Sequence, residues 1–192
     1  MTESSTHESD LTPTATSDGT ASEGAESTPR VRPAFLHGRH GTFVAMLHAT
    51  AGPRPDLGVV ICPPFGWEEM SSYRPRREWA QALAQRGIAA VRIDLPGTGD
   101  SDGYATDDGR LDAWTGAIGE AAAWLRHETG CRRVVAFGIG VGGLLAYGAA
   151  AQGAPIDDLV LWGAPVRGRR FIRELKAFAR MEAIQQDKDD DE

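Results

Sequence analysis

The residues of this 192-residue chain whose types and spacing could do chemistry gather in three short segments. The first, Cys62-Pro63-Pro64-Phe65-Gly66-Trp67-Glu68-Glu69-Met70, ends in adjacent carboxyl groups at Glu68 and Glu69. Paired acids can divide general acid and base roles between them. Acids beside a helix start also complement its dipole, and a helical pattern follows here, so that reading is preferred. The second segment, Asp94-Leu95-Pro96-Gly97-Thr98-Gly99-Asp100-Ser101, offers a hydroxyl. A serine becomes a nucleophile when a base takes its proton, and nothing in the sequence positions a base beside Ser101. The third, Gly138-Ile139-Gly140-Val141-Gly142, has no reactive side chain. It joins an apolar run to a helical one, which leaves the first backbone N–H groups of the helix unpaired. The five histidines, His7, His37, His40, His48 and His127, all precede Gly140.

The third segment also fits a phosphate-cradling pattern, Gly138-x-Gly140-x-x-Gly143. That pattern expects an acidic residue about 20 positions on, at the end of the next strand, to hold a ribose. Here that strand ends in Leu161-Trp162-Gly163-Ala164, and Asp157 and Asp158 come before it. The context argues against a dinucleotide, and no cofactor or metal is expected.

The elements that must position these segments are legible from their periods. AFLHG from Ala34 and GTFVAMLHA flank Arg39-His40-Gly41, which reads as a hairpin. Leu57–Cys62 is continuously apolar and β-branched, the mark of a strand covered on both faces. Residues 75–86 carry Trp79, Ala80, Leu83 and Ala84 at helical spacing, with Pro75 in the expected first turn and Gly87 as the stop. Strand 88–95 follows. Then Trp114, Ile118, Ala121 and Leu125 line one face of a helix over 112–129, closed by Gly130. Strand 133–137, helix 142–151, strand 159–162 and a helix from about Arg169, striped with Phe171, Leu175 and Phe178, complete the series. Two antiparallel strands and then alternating strands and helices make a doubly wound, mostly parallel α/β sheet. Its ligands belong beyond the carboxyl ends of the strands, where all three segments lie.

Composition is that of a globular chain, 41% hydrophobic and 24% charged. The net charge of -7 resides at the ends: residues 1–30 hold six acids against Arg30, and residues 187–192 hold five against Lys188, leaving the remainder at +2. That balance gives no nucleic-acid footprint. Residues 1–30 are Ser/Thr-rich and free of aromatics, which predicts a disordered acidic tail. They hold neither a basic n-region nor an apolar h-region, so a cytoplasmic protein with neither leader nor membrane span is expected. Cys62 and Cys131 fall near opposite edges of the predicted sheet, as two reduced thiols.

Together the three segments, in this order after the third, fourth and fifth strands, resemble the α/β-hydrolase superfamily from about Phe35 to Phe178, and in particular its esterases and serine aminopeptidase-like acyl hydrolases. The resemblance implies roles. Phe65 and Val141 would offer backbone N–H groups to an oxyanion. Asp94, Gly97, Gly99 and Ser101 would form a structural loop, and Gly138, Gly140 and Gly142 the elbow, G-x-S-x-G in the family. Gly140 then stands where the nucleophile belongs, and glycine can form no acyl-enzyme. The family's acid and histidine follow later strands, whereas this chain stops one helix after its sixth.

The expected architecture is therefore a hydrolase-type core over 31–168 lacking its last strands, a helix over 169–186 at the start of a lid region, and an acidic tail over 187–192. The expected function is that of an acyl or ester hydrolase impaired at Gly140. Two alternatives stay open: a non-catalytic ligand-binding or scaffolding module, and the N-terminal fragment of a longer hydrolase. A small acyl or ester-type ligand is the expected partner, with self-association possible through the sixth strand and the final helix.

Overall fold

A computed structural model describes residues 30–52 and 54–189. Of the tails expected over 1–30 and 187–192, residues 1–29 and 190–192 lie outside the described residues. The chain runs β1 (Arg30–Gly38), β2 (Gly41–Ala49), β3 (Leu57–Cys62), α1 (Trp67–Gln85), β4 (Ala89–Ile93), α2 (Arg110–Thr129), β5 (Arg133–Ile139), α3 (Val141–Ala151), β6 (Asp158–Trp162) and α4 (Gly168–Asp189). The six strands form one sheet in the order β1-β2-β4-β3-β5-β6. The first hairpin and the β2–β4 pair are antiparallel, and β4, β3, β5 and β6 run parallel. The doubly wound, mostly parallel α/β fold expected from the alternating pattern is the fold observed.

Strand alternation divides the core between two faces. Val60 and Cys62 of β3 join Val91, Ile93, Val134 and Ala136 under α2 and α3, where Ile118, Ala121, Leu125, Leu145 and Ala146 meet them. Val59 and Ile61 point the other way, toward Ala80 and Leu83 of α1. This second face is covered less fully. An apolar groove of about 590 Å³ opens between α1 and the sheet, lined by Trp79, Leu83, Val135, Phe137 and Val160. Beyond it β6 is bonded on one side only, and its Val160, Leu161 and Trp162 are 50%, 47% and 56% exposed.

The main departure from the sequence pattern is α1, which begins at Trp67 and carries Pro75 in its interior rather than in its first turn. An interior proline loses one helical hydrogen bond and costs about 3 kcal/mol or more. What holds the extra turns is a buried ion pair within α1 and an aromatic contact from α1 to β4. Arg76 is buried, and it donates to both the backbone oxygen and Oε1 of Glu69, at 3.0 and 2.5 Å. The Tyr73 ring lies 5.7 Å from the Arg76 guanidinium and 5.3 Å from that of Arg92, a buried residue of β4. Trp67, Met70 and Tyr73 recur every third residue here but stay exposed, so no buried stripe marks these turns. Smaller differences are boundary shifts: β1 starts at Arg30, β4 spans only 89–93, and β5 extends to Ile139.

Arg92 also donates through Nε to Nε2 of His48 on β2, at 3.2 Å. His48 is 1% exposed, and burial first, then the charges of Arg92 and Arg77, lower its pKa to about 4. An unfolded imidazole takes up its proton near pH 6.5, so between about 6.5 and 4 only the unfolded chain is protonated there. Stability should therefore fall by on the order of 3 kcal/mol as pH drops through that window. His48→Gln, which keeps an acceptor for Arg92 without titrating, should flatten this dependence in urea melts at about pH 7, 5.5 and 4.5. An unchanged slope would assign the loss to other groups. A second test concerns the approach of α3 to β3. A Cβ on Gly142 would lie 2.5 Å from the backbone oxygen of Cys62 and closer still to that of Pro63. Gly142→Ala should lower stability by about 1–3 kcal/mol, read as a shifted urea midpoint, and a neutral result would mean that α3 slides freely.

Candidate functional site

The loops after β3, β4 and β5 converge at one end of the sheet, and the turn after β5 is the sharpest of them. Gly140 adopts φ 54° and ψ -124° immediately before the first residue of α3. An L-residue holds such a backbone only under strain, whereas glycine takes it freely. Its N–H donates to the carbonyl of Trp162 at 2.9 Å, and its own carbonyl accepts from Gly143 at 3.1 Å, so the end of β6 and the first turn of α3 brace it together. On either side the chain packs backbone against backbone: a Cβ on Gly138 would strike Gly143, and one on Gly142 would strike the Cys62–Pro63 strand end.

The loop after β3 passes above this turn. Phe65 is half-buried, with its ring 5.5 Å from that of Trp114, and Trp114 in turn donates through Nε1 to the Pro96 carbonyl at 2.8 Å. That contact joins the first loop to the second. Within the second loop, Ser101 Oγ donates to the Asp94 carbonyl at 2.8 Å and accepts from the backbone N–H of Val44 at 2.9 Å. The hydroxyl thus fastens the loop to β2, with its proton engaged. Gly97 (φ 82°) and Gly99 (φ 54°) make the turns, and a Cβ on Gly99 would collide with the Asp94 carboxylate. Burial raises the Asp94 carboxyl above the ordinary carboxylate range, against the pull of a hydrogen bond from the Asp100 backbone.

Glu68 and Glu69 both sit in the first turn of α1, yet they point apart. Glu69 pairs with the buried Arg76 at 2.5 Å. Glu68 is exposed and reaches toward the elbow, where a Cβ built on Gly140 would lie 2.5 Å from its Oε2 and 3.4 Å from Pro64 Cβ. A cleft of about 570 Å³ opens here, with Glu68 and Gly140 at its base and Arg167, Arg170, Phe171 and Glu174 on its outer wall. Arg170 is tied to Glu174 at 2.7 Å. The Phe171, Leu175 and Phe178 stripe of α4 is half-buried rather than open: Phe171 lines the cleft, and the Phe178 ring stands 5.7 Å from that of Trp67.

The cleft walls thus contain residues that the motifs did not single out, Arg167, Arg170 and Glu174. Their only sequence signal was a basic stretch after the sixth strand. Cys62 lies near the elbow too, but complete burial pushes its thiol up to about 12, which keeps it protonated and unreactive. Both cysteines are buried and free. Among the described residues no group of three or more His, Cys, Asp or Glu side chains could hold a metal ion, and no helix is long and apolar enough to cross a membrane.

Comparison with known proteins agrees with this geometry. Curated proteins give no match. Among solved structures, an α/β serine hydrolase homologue from Coxiella burnetii superposes with a TM-score of 0.57 at 19% identity, over 70% of this chain and 64% of its own. A lidless α/β serine hydrolase from Xanthomonas campestris gives 0.55 at 22% identity, over 68% and 60%. A thermostable carboxyl esterase from Bacillus coagulans, in complex with glycerol, gives 0.57 at 17%, over 68% and 43%. At these identities the likeness is one of fold, and the chain spans less than two thirds of each of these proteins. The sequence model described as serine aminopeptidase, S33, matches residues 59–185, which take in all three loops and most of α4. The chain belongs to that family of α/β hydrolases.

Proposed function

We propose that this protein holds a small acyl or ester-type ligand in the cleft beside Gly140 and that the serine-ester route of its family is closed to it. One observation carries the reading: a strand-to-helix turn with φ 54° and ψ -124° that bears no side chain. In this reading the N–H groups of Phe65 and Val141 receive a carbonyl or carboxylate oxygen. One such donor contributes about 2.7–4 kcal/mol where an oxyanion develops. Gly138 and Gly142 keep the turn tight, and the Asp94–Ser101 loop braces it. The cleft lining sets Arg167 and Arg170 against Glu68 and Glu174, with Arg170 tied to Glu174, so charge alone does not select the ligand. The family match and the hydrolase-like neighbours support an acyl or ester compound over other small molecules. No cofactor or metal is required.

Titration of isotope-labelled protein with butyrate should shift the amide resonances of Gly140 and Val141 saturably, and a titration that moves neither would refute the reading. Gly140→Ser should remain unlabelled by a serine-directed fluorophosphonate, because no histidine lines the cleft among the described residues. The strained backbone should also cost that variant about 1–3 kcal/mol of stability. Labelling at position 140 would reveal a working base.

A second reading concerns association, and the exposed, singly bonded β6 favours it. Edge strands with unpaired backbone groups and apolar side chains template pairing with another chain. The proposed occupant is the β6 strand of a second copy. Sedimentation equilibrium should then show a dimer that Val160→Lys converts to monomer, and a monomeric wild-type chain at high concentration would exclude it.

A further inference from the structure

The position vacated at the elbow is not empty space. A Cβ on Gly140 would come within 2.5 Å of Glu68 Oε2, so a carboxylate oxygen stands close to where an elbow side chain would present its reactive atom. That oxygen belongs to an exposed side chain carried by the first turn of α1. The Gly66 turn (φ 69°) starts α1, Glu69 N–H bonds back to the Gly66 carbonyl at 3.0 Å, and the Glu69 side chain is locked by buried Arg76. The turn carrying Glu68 is thereby fixed while its own carboxylate faces the 570 Å³ cleft. No side chain donates a hydrogen bond to that carboxylate among the described residues; the backbone oxygen of Glu68 accepts one from Ser71.

We infer that Glu68 supplies the nucleophile that Gly140 lacks, attacking activated acyl donors such as aryl esters and thioesters bound beside the elbow. The inference rests on the ligand-binding reading above. A serine hydroxyl must lose a proton as it attacks and so needs a base, whereas a carboxylate is already ionised at neutral pH. A site without a histidine can therefore still attack a carbonyl if its nucleophile is a carboxylate. In the first step a Glu68 oxygen bonds to the acyl carbon, and the carbonyl electrons move onto the carbonyl oxygen, which the backbone donors proposed above, Phe65 and Val141, would receive. Collapse of that adduct breaks the bond to the leaving group, which departs with the electron pair as phenolate or thiolate and takes its proton from solvent if it needs one. Glu68 is then one half of a mixed anhydride. Water adds to the anhydride, its C–O bond breaks, and the products are the Glu68 carboxylate, the free acid and a proton. The sum is acyl donor plus water giving acid plus alcohol or thiol.

The same geometry limits the substrate class. Among the described residues no histidine lines the cleft to protonate an alkoxide, so alkyl esters and amides are poor substrates and weakly basic leaving groups are favoured. Arg167, on the opposite wall, would draw an anionic leaving group outward.

The experiment uses the full chain with p-nitrophenyl butyrate, and butyrate binding is followed separately by NMR. Slow turnover is expected, with an acyl group found on Glu68 by mass spectrometry after rapid acid quench and a hydroxamate formed there in hydroxylamine. Glu68→Gln should lower kcat by about 100-fold or more, toward the uncatalysed rate, while still binding butyrate. Glu78→Gln, on the same helix but paired with Arg74 in solvent, should change nothing. The rate should be flat from about pH 6 to 8, without the inflection a histidine base would give. Gly140→Ala, checked for folding by circular dichroism, should also lose kcat, because its methyl would displace the carboxylate. Turnover equal to wild type in Glu68→Gln, or an acyl group on another residue, overturns the inference. Butyrate binding without any acyl-Glu68 overturns it and leaves the binding reading standing, and absence of both defeats the two together.

Discussion

The arrangement depends on one close contact, the passage of the α3 N-terminus over the ends of β3 and β5. Gly142 lies against the carbonyls of Cys62 and Pro63, and Gly138 lies against Gly143, at separations that leave no room for a Cβ. Backbone packed on backbone fixes the start of α3 to within a fraction of an ångström, because there is no flexible side chain to absorb a shift. The direction of the first helical N–H groups follows from that position. So does the bond from Gly140 N–H to Trp162, which ties the last residue of β6 to the turn. The floor of the cleft is thus assembled from three parallel strands whose ends are held in common.

The opposite wall depends on charge buried beneath α1. Arg76 and Arg92 are both nearly inaccessible, and desolvating two guanidinium groups is costly unless each finds a partner. Arg76 has Glu69 and a backbone carbonyl, Arg92 has His48, and the Tyr73 ring lies near both. Each partner constrains geometry as well as energy. Glu69 cannot leave Arg76 without stranding a buried charge, so the first turn of α1 stays in place despite an interior proline, and Glu68 is directed at the elbow. Neutral His48 belongs to the same network: a proton there would add a third positive charge.

How much of this was legible in the sequence follows from which contacts are local. The unbroken apolar run of β3 and the four-three-four spacing from Trp114 to Leu125 record burial that is periodic along the chain, and both elements fell where expected. The elbow glycines were legible because a tight turn constrains consecutive residues. The first turns of α1 were not, since Trp67, Met70 and Tyr73 recur every third residue without being buried, and the turns are held by Arg76 on Glu69 and by Tyr73 beside Arg92. Nor could the sequence place Glu68 beside Gly140, 72 positions away. Read locally, Glu68 is a residue that suits a helix dipole, and it does sit in the first turn of α1.

Gly140 read from sequence alone is a deletion, one side chain fewer at a reactive position. In three dimensions it is also a permission. A Cβ at that point and the Glu68 carboxylate cannot both occupy their present places, so the two ways of presenting an oxygen at the elbow compete, with the exposed Glu68 side chain the one free to turn aside. Glycine removes the strain of the left-handed backbone and makes room for the approach from α1 with the same change. The two oxygens would differ in chemistry more than in position. One must be deprotonated in place by a second residue, and the other arrives charged but with less intrinsic reactivity toward poor leaving groups. A turn of this shape without a side chain is therefore best described by what stands beside it.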